Sequence, residues 1–123
     1  MDIRINGDVE KFISSLEKPT IAKVLRSIDL LARFGYRLGP PHSKKIKANL
    51  HELRIRGQQE VRIFYTFHQR TIILFHGFIK KSQRIPTREL QLAIRKLYRD
   101  LTWYNIYVIL LLSDFYLKKH EIL

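Results

Sequence analysis

The stretch Leu50-His51-Glu52-Leu53-Arg54-Ile55-Arg56 is followed by Gly57-Gln58-Gln59-Glu60, by Val61-Arg62-Ile63-Phe64-Tyr65-Thr66-Phe67, by His68-Gln69-Arg70, and by Thr71-Ile72-Ile73-Leu74-Phe75-His76-Gly77-Phe78-Ile79. Its period is two. His51, Leu53 and Ile55 fall on one side while Glu52, Arg54 and Arg56 fall on the other. Gly57-Gln58-Gln59 is a turn signal, after which Val61, Ile63, Tyr65 and Phe67 alternate with Arg62, Phe64 and Thr66. A hairpin is predicted. His68-Gln69-Arg70 then turns the chain into a third strand, whose nearly continuous apolar run suits a central or well-covered position.

Upstream, the apolar spacing changes to that of helices. Asp8 can cap a first helix, in which Val9, Phe12, Ile13 and Leu16 recur at i, i+3, i+4 and i+7 and which is expected to run to about Glu17. Pro19-Thr20 restarts the chain into a second helix striped by Ile21, Val24, Leu25, Ile28, Leu31 and Ala32, with Gly35 as a left-handed stop. Ile3 and Ile5 are a candidate opening strand ahead of Asn6-Gly7. Tyr36 to Asn49, with Gly39-Pro40-Pro41 and Ser43-Lys44-Lys45-Ile46-Lys47, reads as a basic loop.

Downstream, Pro86-Thr87 starts a third helix, carried by Leu90, Ala93, Ile94, Leu97 and Leu101. Beyond Asp100 the chain turns uncharged and aromatic, from Trp103 to Leu112, too short for the roughly 20 residues of a membrane-spanning helix. The expected fold class is α+β. Two N-terminal helices pack on one face of a twisted antiparallel sheet, a three-stranded meander with the candidate N-terminal strand, and a third helix follows. All helices are expected on the same sheet face. Residues 1–100 form the domain, and 101–123 are an apolar extension that packs on the body or on another subunit rather than folding alone.

The 123 residues contain 23 Lys and Arg against 11 Asp and Glu, no cysteine, and 46% hydrophobic residues. That is enough apolar material for one core without disulfides, and it excludes zinc ribbons and thiol catalysis. The opening residues lack the basic and apolar regions of a secretory signal, so a cytoplasmic location is expected. The charge is concentrated: from Tyr36 to Asp100 there are 15 basic residues against 4 acidic ones, while the flanking segments are nearly balanced. A block this lopsided attracts polyanions, nucleic acid above all.

The alternation turns the sheet into a candidate site. Glu52, Arg54 and Arg56 share a face with Arg62, bordered by Lys44, Lys45 and Lys47 of the loop and by Lys80 and Lys81 at the end of the last strand. Metal-independent RNA cleavage needs a base for the 2′-hydroxyl, cations for the phosphorane and an acid for the departing 5′-oxygen. Arg54 and Arg62 suit the phosphorane because a guanidinium binds phosphate through two donors. Glu52 is either the base or the partner in a cross-strand ion pair. His76 is either a proton donor or a hydrogen-bonded structural residue, and Lys81 can also donate. Phe64 is either core or a platform for a base. No residue spacing indicates a metal or cofactor site.

Four runs together resemble the HigB-like toxins of the RelE/ParE superfamily, especially the phage-derived branch. They are Ile28-Asp29-Leu30-Leu31-Ala32-Arg33-Phe34-Gly35, Glu52-Leu53-Arg54-Ile55, Val61-Arg62-Ile63-Phe64-Tyr65, and the exit from Phe75-His76-Gly77-Phe78 through Lys80-Lys81-Ser82-Gln83-Arg84-Ile85-Pro86. The resemblance covers about residues 1–100. It implies the toxin of a type II toxin–antitoxin pair, a ribosome-dependent mRNA endoribonuclease of the bacterial cytoplasm. The implied partners are a helix-turn-helix antitoxin, mRNA and the ribosome, with operator DNA reached only through the antitoxin and no membrane. Carried over by position, Arg54 is the strand cation, Arg62 grips the scissile phosphate and Lys81 ends the last strand. Apart from that carry-over, Lys44, Lys45, Lys47, Arg56, Phe64, Lys80 and Arg84 are the expected RNA-binding residues. Two other expectations compete: a ParE-like protein that inhibits DNA gyrase by contact, and a degenerate toxin that survives as an antitoxin-binding co-repressor.

Overall fold

A computed structural model describes residues 1–100 of the chain, the side chains of 98–100 excepted; the expectation for 101–123 lies outside the described residues. In chain order the elements are β1 (Asp2–Ile5), α1 (Gly7–Ser14), α2 (Lys18–Phe34), a single 3-10 turn (Gly35–Arg37), β2 (Ser43–Lys47), β3 (Leu50–Ile55), β4 (Val61–His68), β5 (Thr71–Ile79) and α3 (Thr87–Asp100). The α+β class and the meander hold. The sheet has five strands in the order β1-β5-β4-β3-β2, with β1 parallel to β5 and the other pairs antiparallel.

Four details differ from the sequence reading. The segment read as a basic loop contains β2, which pairs Lys44 with Glu52 and Lys45 with His51. Lysines and prolines weaken a strand signal, yet lysines are what protects an exposed sheet edge from further pairing. The cap of α1 is Asn6, whose Oδ1 accepts from the Val9 amide at 2.9 Å, and Asp8 lies in the first turn, where its charge meets the positive end of the helix. That helix also ends at Ser14, short of Glu17.

The fourth difference is the position of α3. Val9, Ile13, Val24 and Leu31 of α1 and α2 pack on Leu53, Ile55, Val61, Ile63 and Tyr65, whereas Leu90, Ala93 and Leu97 of α3 pack on Leu50, Phe64, Ile73, Phe75 and Phe78. The helices therefore cover both sheet faces, because β4 and β5 carry large apolar side chains on both sides and each set has to leave water. Phe64 is opposite His76 and Tyr65 is opposite Leu74, so Phe75 is an additional residue bulged out of β5.

Gly77 shows how closely α1 approaches: a Cβ there would lie 2.5 Å from Cδ2 of Phe12. Gly77→Ala is expected to cost about 1–3 kcal/mol by overpacking, read as a lower urea midpoint with an unchanged slope.

Candidate nucleic-acid interface

Beside the segment that leads from β5 into α3, the described residues form a groove of about 540 Å³. Its lining joins Arg54, Arg56, Glu60 and Arg62 of the hairpin to Lys80, Lys81, Ser82 and Gln83 after β5. The hairpin register explains the convergence. Arg54 stands directly opposite Arg62, and the Lys80 amide continues the ladder by donating to Glu60 O at 2.7 Å.

Both arginines depend on Glu52, which is 1% exposed. Arg54 Nε donates to Glu52 Oε1 at 3.0 Å, and Arg62 Nε approaches the same oxygen at 3.7 Å. Arg62 Nη1 also donates to Glu60 Oε2 at 3.2 Å and to Val61 O at 3.0 Å. Glu52 Oε2 and Arg62 Nε have no hydrogen-bond partner, so the two guanidiniums share one carboxylate oxygen and are not fully satisfied by it. Five cations and two carboxylates meet in and beneath the groove, which leaves a positive site shaped for an anion.

The remaining predicted residues divide. Arg54, Arg56, Arg62, Lys80 and Lys81 line the groove, with Glu52 beneath it. Lys44 stands opposite Glu52 on the same face and is exposed. Lys45 stands opposite His51 on the α1–α2 side, and Lys47 is buried at the end of β2. Arg84 is exposed beyond the groove lining. Phe64 is wholly buried, with ring centroids 5.5 Å from Phe78 and 6.1 Å from His76, and offers no face to a base.

His76 lies under α3, not among the groove residues. Its Nε2 is 3.1 Å from Glu89 Oε2 and its Nδ1 is 2.8 Å from Lys96 Nζ. Burial lowers its pKa, opposed by the hydrogen bond to Glu89. Glu60 was missed by the sequence reading, although a residue two before Arg62 falls on its face by simple alternation.

His51, on the opposite side, gives a pH prediction. Burial and then the charge of Lys45 lower its pKa from 6.5 to about 4. Between these values the unfolded chain takes up a proton that the folded one refuses, so this histidine's contribution to stability is present above 6.5 and lost on acidification toward 4. The urea midpoint is expected to fall less between pH 7 and 4.5 in His51→Phe than in the wild type.

Fold and groove together define a class: a small α+β protein whose sheet carries a preset arginine pair at an open, cationic corner. The chain belongs to the family described as phage derived protein Gp49-like (DUF891), which it matches over residues 11–98. Among curated proteins no match was found. Among solved structures, the YoeB–YefM toxin–antitoxin heterotetramer from Staphylococcus aureus is similar at 19% identity, covering 60% of this chain and 90% of that one, with a TM-score of 0.46. Among the described residues no helix is long and apolar enough to cross a membrane.

Proposed function

We propose that this chain is the toxin of a type II toxin–antitoxin pair, a HigB-like member of the RelE/ParE superfamily that cleaves mRNA on the ribosome in the bacterial cytoplasm. A small helix-turn-helix antitoxin is its partner and its route to operator DNA. The observation that supports this reading most is the pair Arg54 and Arg62, opposite one another in register and held by one buried carboxylate at the floor of a basic groove. Contact inhibition of a protein such as gyrase has no need of such a phosphate grip.

In this reading the 2′-oxygen attacks the adjacent phosphorus, the bond to the 5′-oxygen breaks, and the phosphorane between them carries an added negative charge. Arg54 and Arg62 stabilise that charge from positions fixed before the substrate arrives. Glu52 is a positioning residue that holds them. Glu60, 39% exposed at its side chain, is the carboxylate within the groove that accepts the 2′-hydroxyl proton. Lys81 returns a proton to the departing 5′-oxygen, and His76 serves the packing of α3.

Controlled expression followed by mapping of RNA 5′ ends tests the proposal. New 5′ ends inside reading frames support it. Growth arrest with intact mRNA and gyrase-dependent DNA breaks would replace it with the contact inhibitor, and a harmless wild type with the co-repressor.

A further inference from the structure

On the α1–α2 side of the sheet, away from the groove, four rings form a continuous file. Tyr36 lies against Phe67 with centroids 4.2 Å apart and planes 30° from parallel. Phe67 meets His51 edge-on at 5.1 Å, and His51 stacks on Tyr65 at 5.1 Å. The inner end is closed, with Tyr65 1% exposed and its hydroxyl hydrogen-bonded to Ser43. The outer end is open: Tyr36 is 70% exposed and nearby Phe34 is 50% exposed.

Cations surround this open end. A cavity of about 290 Å³ beside Tyr36 is bordered by Lys45, and one of about 780 Å³ on its other side by Arg33, Arg37 and Arg70. Among the described residues lining the two, Asp2 is the one carboxylate. Tyr36 is also held in place. It follows Gly35, whose φ is 51° and whose added Cβ would lie 2.7 Å from Met1 Sδ, while the Met1 ammonium donates to Ala32 O at 2.8 Å. Met1 thus packs against the turn that presents the ring.

An acidic peptide would use the cations and leave the rings idle, and an apolar partner would cover the rings at the cost of desolvating the arginines. A single nucleic-acid strand uses both, since every base has a face to stack and every linkage has a phosphate for a guanidinium. We infer that this surface is a second nucleic-acid site, which takes a single strand with one base stacked on Tyr36 and its phosphates on Arg33, Arg37 and Arg70. It lies on the opposite sheet face from the groove and needs no chemistry there, so it goes beyond the cleavage reading. Burial and Lys45 keep His51 uncharged at neutral pH, which preserves the stacked file.

The test is fluorescence anisotropy of the full chain with a labelled 2′-O-methyl 12-mer, which cannot be cleaved through its 2′-oxygen. Tyr36→Ala, a change at an exposed position, is expected to weaken binding about 5- to 100-fold. Arg33→Gln with Arg37→Gln should flatten the slope of log affinity against log salt by about 1.4, from ~0.7 per phosphate contact. Tyr36→Trp should bind as the wild type does and lose indole emission on binding, beyond any change the wild type shows. The effect of Tyr36→Ala should persist in an Arg62→Ala background, so failure of the cleavage reading leaves this one standing. Unchanged affinity of Tyr36→Ala, or equal affinity for a 12-base-pair duplex, overturns it.

Discussion

Arg62→Ala is expected to lower mRNA cleavage by about 10²–10³-fold, the scale of losing one preorganised donor to a transition-state oxyanion. The argument rests on where the side chain is held. Arg62 is 3% exposed, anchored by Glu60 and the Val61 carbonyl, and its Nε lacks a hydrogen-bond partner. Arg62 lines the groove with its guanidinium already fixed by these contacts, so a phosphate bound there would meet a cation whose reorganisation cost has been met in folding. Arg62→Lys separates charge from geometry: an ammonium keeps the field and loses the paired donors, so its cleavage rate should fall between those of the wild type and the alanine variant. The measurement is the 5′-end yield per mRNA at matched protein level, with circular dichroism to show that both variants fold. Alanine and wild type cleaving equally would remove Arg62 from the chemistry.

Glu52→Ala should damage the fold more than any other single change at the site. The carboxylate is 1% exposed and serves Arg54 and Arg62 together. Without it Arg62 keeps only Glu60 as an ionic partner among those described, and the two opposed guanidiniums repel across the hairpin. Removing one partner of a buried charge cluster typically costs about 3–5 kcal/mol, which for a domain of this size lowers Tm by roughly 10 °C or more. Glu52→Gln keeps the volume and loses the charge, so it should fall between. A Tm within a degree or two of the wild type for Glu52→Ala would mean that the arginines find other partners and that the carboxylate does not organise the site.

The meander was legible because Leu50 to Phe67 alternates and short turns set it off from the apolar run Thr71 to Ile79, and the Arg54–Arg62 pairing followed from one short turn. Helix α2 was equally plain, with Pro19 at its start and Gly35 at its end. Strand β2 was not, since Lys44, Lys45 and Lys47 carry no strand propensity and its pairing with β3 is a non-local matter. The side on which α3 packs was hidden because amphipathicity shows that a helix buries one face, not which sheet face receives it. Phe64 and Phe78 carried the available signal: two phenylalanines on the nominally charged face demand a cover. Glu52 and His76 each had two sequence readings. Geometry places the first between two arginines and the second between Glu89 and Lys96, and neither fact is written in local spacing.

The bulge at Phe75 has a consequence for which way the chain's positive charge points. Up to Leu74 the even-numbered residues of β5 look toward α1 and α2; from His76 onward they look toward α3. One inserted residue has switched the strand's odd–even phase in mid-course, so Lys80 emerges into the groove instead of beneath α1. Were Phe75 drawn into the ladder as an ordinary paired residue, the composition of β5 would be unchanged and yet that lysine would fall on the other side of the sheet.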